Sequence, residues 1–149
     1  MNWKREAEQK LRNYAACRRA LTAIPLMIEE LKCRREGVRS ARVDGRAVSG
    51  GTNGREEMLV SSLNRQEELE QRLAATNVYV AGVEEALSAL NAEEKLILDR
   101  FYIHPIRGCA GSLCEELCME RSNVYRRKDQ ALRHFITMHN IQPLKVCPA

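Results

Sequence analysis

Aromatic residues are scarce in this chain, at 5% of 149 residues. A β-sandwich core draws more heavily on aromatic and β-branched side chains, so an all-β fold starts at a disadvantage. Long hydrophobic runs are lacking too. None exceeds six residues, Ala23–Ile28 and Val78–Val83 being representative. A membrane-spanning helix needs about twenty apolar residues, so no membrane partner is expected. The opening Met1-Asn2-Trp3-Lys4-Arg5-Glu6 holds no apolar h-region, so a secretory signal is not expected either. Without export, the six cysteines are expected as reduced thiols in the cytoplasm rather than as a disulfide framework. Proline is sparse as well, at Pro25, Pro105, Pro143 and Pro148.

What the chain has in quantity is charge and aliphatic residues. Hydrophobic residues make up 44% and charged residues 30%, enough for a core and against wholesale disorder. The net charge of +4 is too small to identify a nucleic-acid binder by itself. Its distribution says more: +5 over residues 1–39, −5 over 54–100 and +3 over 101–149. A chain arranged basic, acidic, basic can pair its own segments and keep one basic surface for a partner.

The apolar spacing is helical. Tyr14, Cys17, Leu21, Ile24, Ile28 and Leu31 follow steps of three and four, predicting a first helix from about Lys4 to Arg35. Pro25 should kink or split it, because proline removes a backbone donor and clashes with the preceding turn. Glycines cluster between Gly37 and Gly54, which reads as a loop. Asn53 then caps a second helix, with Glu56 at its third position. The second seam is Leu59, Ser62, Gln66, Leu69, Leu73, Thr76, Val80, Val83, Leu87 and Leu90. A helix of this length would be about 55 Å long and must bury its seam against the first helix or a second copy of the chain. The fold class expected is therefore all-α. It consists of a long, coiled-coil-like helical hairpin over 1–90 with a loop at 37–53, a three-helix domain over 91–139, and a flexible tail over 140–149.

The pattern shortens after Leu90. Asn91 caps a helix over Ala92–Ile103, with Glu94 at its third position and Leu96, Ile97 and Phe101 on one face. His104-Pro105-Ile106-Arg107-Gly108 stops it. Ser112 is expected to cap the next helix, whose stripe is Leu113, Cys114, Leu117 and Cys118. A turn at Met119-Glu120-Arg121 leads to a last helix, about Ser122 to His139, with Val124, Ala131, Leu132, Phe135 and Ile136 as its core side. Three short helices with a tight turn before a basic third describe a helix-turn-helix. The face opposite that core holds Asn123, Arg126, Arg127, Gln130 and Arg133. From Arg121 to Phe135 five Lys/Arg stand against one Asp, a local +4. Asn, Gln and Arg make bidentate contacts to base edges. Asn123, Arg126 and Arg127 are expected to read bases, and Arg121, Lys128 and Arg133 to contact phosphates. Ser122 and Tyr125, on the same opening turns, complete the expected double-stranded DNA site.

Two stretches resemble region four of bacterial sigma factors. Ala89-Leu90-Asn91-Ala92-Glu93-Glu94-Lys95-Leu96-Ile97-Leu98-Asp99-Arg100-Phe101-Tyr102 is similar to the opening of that domain. Ser122-Asn123-Val124-Tyr125-Arg126-Arg127-Lys128-Asp129-Gln130-Ala131-Leu132-Arg133-His134-Phe135 is similar to its recognition helix. With the loop Ser49-Gly50-Gly51-Thr52-Asn53-Gly54-Arg55-Glu56-Glu57, the chain resembles phage transcriptional regulators of the RinA and ArpU type, roughly from Leu21 to Phe135. The resemblance implies a DNA-binding activator of phage or prophage genes, working with the host RNA polymerase in a bacterial cytoplasm.

Other chemistry finds less support. Cys109, Cys114 and Cys118 with His104 lack the paired spacing of a zinc site, and packing explains the cysteines better. Gly50-Gly51-Thr52-Asn53-Gly54 is followed by Arg-Glu rather than the Lys-Ser/Thr of a Walker loop. His134 and His139 read as surface residues. The glutamate pairs Glu67-Glu68, Glu84-Glu85 and Glu93-Glu94 read as solvated helix faces, not as general acids or bases. No enzymatic activity and no cofactor are expected. The competing reading is a helical phage adaptor, comparable to small terminase subunits that join a helix-turn-helix to oligomerising helices.

Overall fold

The computed structural model describes residues 2–43 and 52–141. The fold is all-α, as expected. Its long pair is α1 (Trp3–Val43) and α2 (Thr52–Ser88), followed by the shorter α3 (Ala92–Leu98), α4 (Cys109–Leu117) and α5 (Arg121–Ile141). A π turn over Asp99–Ile103 follows α3 directly. Among the described residues no helix is long and apolar enough to cross a membrane.

Three expectations about the long helices need correction. First, α1 runs unbroken through Pro25. The proline is exposed, and the seam residues Ile24 and Ile28 on either side are buried. Losing one N–H on the solvent side leaves the packed side of the helix intact. Second, α1 extends past Arg35 to Val43, absorbing Gly37. One glycine costs about 1 kcal/mol in a helix, too little to end one rich in arginine and glutamate. Third, α2 opens at Thr52, so Asn53 is already helical. The remainder of the expected loop, 44–51, lies outside the described residues, as do the capping side chain of Asn53, residues 142–149 of the expected tail, and Cys147.

The chain forms two compact units. One holds Arg19–Asn77; the other holds Met1–Arg18 with the chain from Val78 onward. In the Arg19–Asn77 unit the two seams meet. Ile24, Ile28 and Leu69 are buried, and Ala20, Leu31 and Leu73 pack against them. The polar members of the α2 seam also have a use. Arg35 donates to Ser62 Oγ at 3.5 Å and to Gln66 Oε1. Thr76 is buried, and its hydroxyl donates to Arg72 O at 2.7 Å, one turn back.

In the other unit the α1 seam begins earlier than Tyr14, with Ala7 and Leu11 fully buried. From α2 it buries Val80, Val83 and Ala86, followed by Leu90. Polar ties fix the register between distant segments. Tyr14 donates to Glu84 at 3.0 Å, Tyr79 to Lys10 O at 2.9 Å, and Tyr102 to Glu8 at 2.8 Å. Arg18 pairs with Glu84 at 3.2 Å, a contact between the basic and acidic stretches of the sequence.

The start of α3 follows the sequence closely. Glu94 N donates to Asn91 Oδ1 at 2.8 Å, and Asn91 N to Glu94 Oε2 at 3.4 Å, a reciprocal capping box. The helix then widens, with His104 N donating to Asp99 O at 2.7 Å. α4 begins at Cys109, after Gly108 at φ 72°, and not at Ser112. Ser112 N donates to Gly108 O inside the first turn, and its hydroxyl reaches Glu116 at 3.5 Å. The left-handed glycine reverses the chain four residues earlier than the serine would.

Candidate nucleic-acid interface

α5 is held on one side by its own apolar stripe. Val124, Ala131, Leu132, Phe135 and Ile136 are all buried, as the spacing predicted, and the helix packs against α3 and α4. Ile97, Leu113 and Val124 form the centre of that packing, with Leu96, Phe101, Cys114, Leu117 and Met119 around them. The turn from α4 spans Cys118 to Glu120. Cys118 takes the left-handed conformation at φ 53° and is exposed, so it leaves the core stripe on which it was expected. Met119 N donates to Cys114 O at 3.1 Å, closing α4, and Val124 N to Glu120 O at 3.1 Å, opening α5.

The side of α5 away from that core carries Ser122, Arg126, Gln130 and Arg133, all exposed. Their steps of four, four and three place them along one line of the helix. Arg121 is exposed at the first position and Asn123 is half-buried. The remaining basic residues are each engaged. Arg127 is exposed at the flank, with its Nη1 3.7 Å from Glu93 Oε1, an ion pair too long for a hydrogen bond. Lys128 does not share the exposed line. It is half-buried, with its ammonium 5.0 Å from the ring centroids of both Phe101 and Tyr125. These two rings lie 6.0 Å apart, and Tyr125 remains 41% exposed beside them. Arg133 stacks on Trp3, its guanidinium carbon 5.1 Å from the ring. Asp129, the one acidic residue of α5, pairs with Lys4 at 2.9 Å.

The two histidines expected at the surface are partly exposed, and each holds a specific partner. His134 Nδ1 lies 3.0 Å from Glu94 Oε2, on the residue that closes the capping box of α3. His139 is half-buried, its ring 5.8 Å from that of Phe135, and Lys10 Nζ is 3.3 Å from its Nδ1. Burial and the Lys10 charge hold its pKa below the ordinary histidine value, with Glu6 opposing. His104 is exposed and contacts Asp99 at 2.8 Å. Tyr14 is pushed up to about 12 by burial and its bond to Glu84, and Tyr102 is raised by burial and its bond to Glu8. These phenols stay neutral donors at any physiological pH.

Among the described residues no three His, Cys, Asp or Glu side chains converge as a metal-ligand group. Cys109 and Cys114 are half-buried along α4. The contacts that sequence reasoning missed are those of Trp3 and Lys4 with α5. They join residues more than a hundred positions apart, and no local pattern announces them. No protein-family model matches the sequence, and neither a curated protein nor a solved structure matches it.

Proposed function

We propose that this chain is a sequence-specific double-stranded DNA-binding transcriptional regulator that inserts α5 into the major groove. The observation that carries the reading is the two-sided character of α5. A fully apolar stripe anchors it, and Ser122, Arg126, Gln130 and Arg133 line the opposite, solvent-facing side. A tight turn after α4 presents the helix by its N-terminal end, the end that reaches base edges in helix-turn-helix proteins. Asn123 and Arg126 are the base-reading candidates, and Arg121 and Arg133 the phosphate-contacting ones. Arg127 joins the first group when it leaves Glu93. The resemblance to sigma region four and to RinA- and ArpU-type regulators supports a role as an activator of phage or prophage genes, acting beside host RNA polymerase.

Selection of bound duplexes from a random library tests the proposal. An enriched motif that Arg126→Ala with Arg127→Ala abolishes, at unchanged helicity, is the expected result. A library that yields no motif, or a double variant that binds as wild type does, overturns it. The adaptor reading draws on a different observation: Leu26, Met27, Met58, Val60 and Leu63 are exposed on the Arg19–Asn77 unit, which suits a helical partner. Light scattering that shows a ring-sized oligomer would favour it.

A further inference from the structure

We infer that the duplex-facing surface is composite, and that Lys4 of α1 is a positioning residue that keeps the arginines of α5 available to phosphate. The inference rests on the DNA-binding reading of α5 and adds to it a device on another helix. Asp129 sits three residues after Arg126 and four before Arg133. Residues at those separations are neighbours on a helix surface, so an unclaimed Asp129 would pair with one arginine or the other. Either pairing would withdraw a cation from the exposed line.

The structure has a different arrangement. Lys4 Nζ takes the Asp129 carboxylate at 2.9 Å, while the Trp3 ring stacks on Arg133 at 5.1 Å. Among the described residues neither Arg126 nor Arg133 is ion-paired with a carboxylate. The placement of Lys4 is itself built. Asn2 Oδ1 accepts from Lys4 N at 3.1 Å at the start of α1, and Ala7 and Leu11 seat the following turns in the core. The pairing with Asp129 also raises the Lys4 pKa.

The test measures binding of the full chain to a fluorescein-labelled mixed-sequence duplex of about 25 base pairs, as a function of salt. Lys4→Ala should weaken binding by about three- to tenfold and lower the salt slope by about one, as a phosphate contact is lost to Asp129. Lys4→Ala combined with Asp129→Asn should return both affinity and slope to wild type. Lys32→Ala, which removes an equal charge from the Arg19–Asn77 unit, should change affinity less than about twofold. Circular dichroism confirms the fold of each variant. The inference is overturned if folded Lys4→Ala binds as wild type, if the second substitution gives no recovery, or if Lys32→Ala is equally harmful. A wild-type chain that binds no duplex at low salt removes the DNA-binding reading itself, a result distinct from all three.

Discussion

His134 Nδ1 lies 3.0 Å from Glu94 Oε2, and the same carboxylate accepts the backbone N–H of Asn91 at 3.4 Å. One side chain therefore closes the capping box of α3 and fastens the middle of α5 to it. Asn91→Ala removes the cap alone and should cost about 1 kcal/mol. Glu94→Ala removes the cap's second half and the tie to His134, and should cost about 1–2 kcal/mol. Urea denaturation of the two variants checks the order. A smaller loss for Glu94→Ala than for Asn91→Ala would contradict that order.

His139 gives stability a pH dependence of definite sign. Lys10 can donate to Nδ1 only when the imidazole is neutral, and burial and the Lys10 charge lower its folded pKa from 6.5. The unfolded chain therefore takes up the proton first as pH falls. The contribution of His139 is full above 6.5 and is lost as pH drops from there toward the lowered folded value. The difference in unfolding free energy between wild type and His139→Gln should shrink across that window. A difference constant from pH 7.5 to 5, about the histidine range, would contradict it.

Cys118 holds a left-handed conformation at φ 53°. A residue with a Cβ there costs about 1–2 kcal/mol, from which glycine's greater unfolded-state freedom must be subtracted. Cys118→Gly should stabilise the turn before α5 by about 0.5–1 kcal/mol. A lowered thermal midpoint would show that the side chain contributes more than its backbone costs.

Arg127 stands 3.7 Å from Glu93, with both side chains partly exposed. Under the DNA-binding reading, Glu93 competes with phosphate for this guanidinium. Glu93→Gln should tighten binding to duplex by a few-fold, about the effect of one additional cation, and steepen the salt dependence. Unchanged affinity in fluorescence anisotropy would place Arg127 outside the contact surface.

The parts of the fold legible in the sequence are those with short-range periodicity. The α5 stripe Val124, Ala131, Leu132, Phe135 and Ile136 is buried in full because a 3.6-residue period leaves one solution for an amphipathic helix. Asn91 and Glu94 were legible because a capping box is a local motif. Ser112 misled because cap preferences rank hydroxyls highly, whereas the left-handed turn at Gly108 had already started α4. The partners of His134 and His139, Glu94 and Lys10, come from distant positions, so no local pattern in the basic helix shows them. Lys128 shows the same limit for the candidate site. Its charge fits a phosphate contact, and only the folded chain brings Phe101 and Tyr125 beneath it.

The unit that contains α5 also contains Met1–Arg18, while Arg19–Asn77 forms the other. This has a consequence for biosynthesis. The first turns of α1 leave the ribosome long before Tyr102, the partner of Glu8, and Asp129, the partner of Lys4, have been translated. Until then the unit to which Ala7 and Leu11 belong lacks the residues after Leu90 that complete its core. Because closing so long a loop must precede the contacts that reward it, assembly of this unit is a late and comparatively slow event, whereas Arg19–Asn77 can zip together as soon as α2 is made.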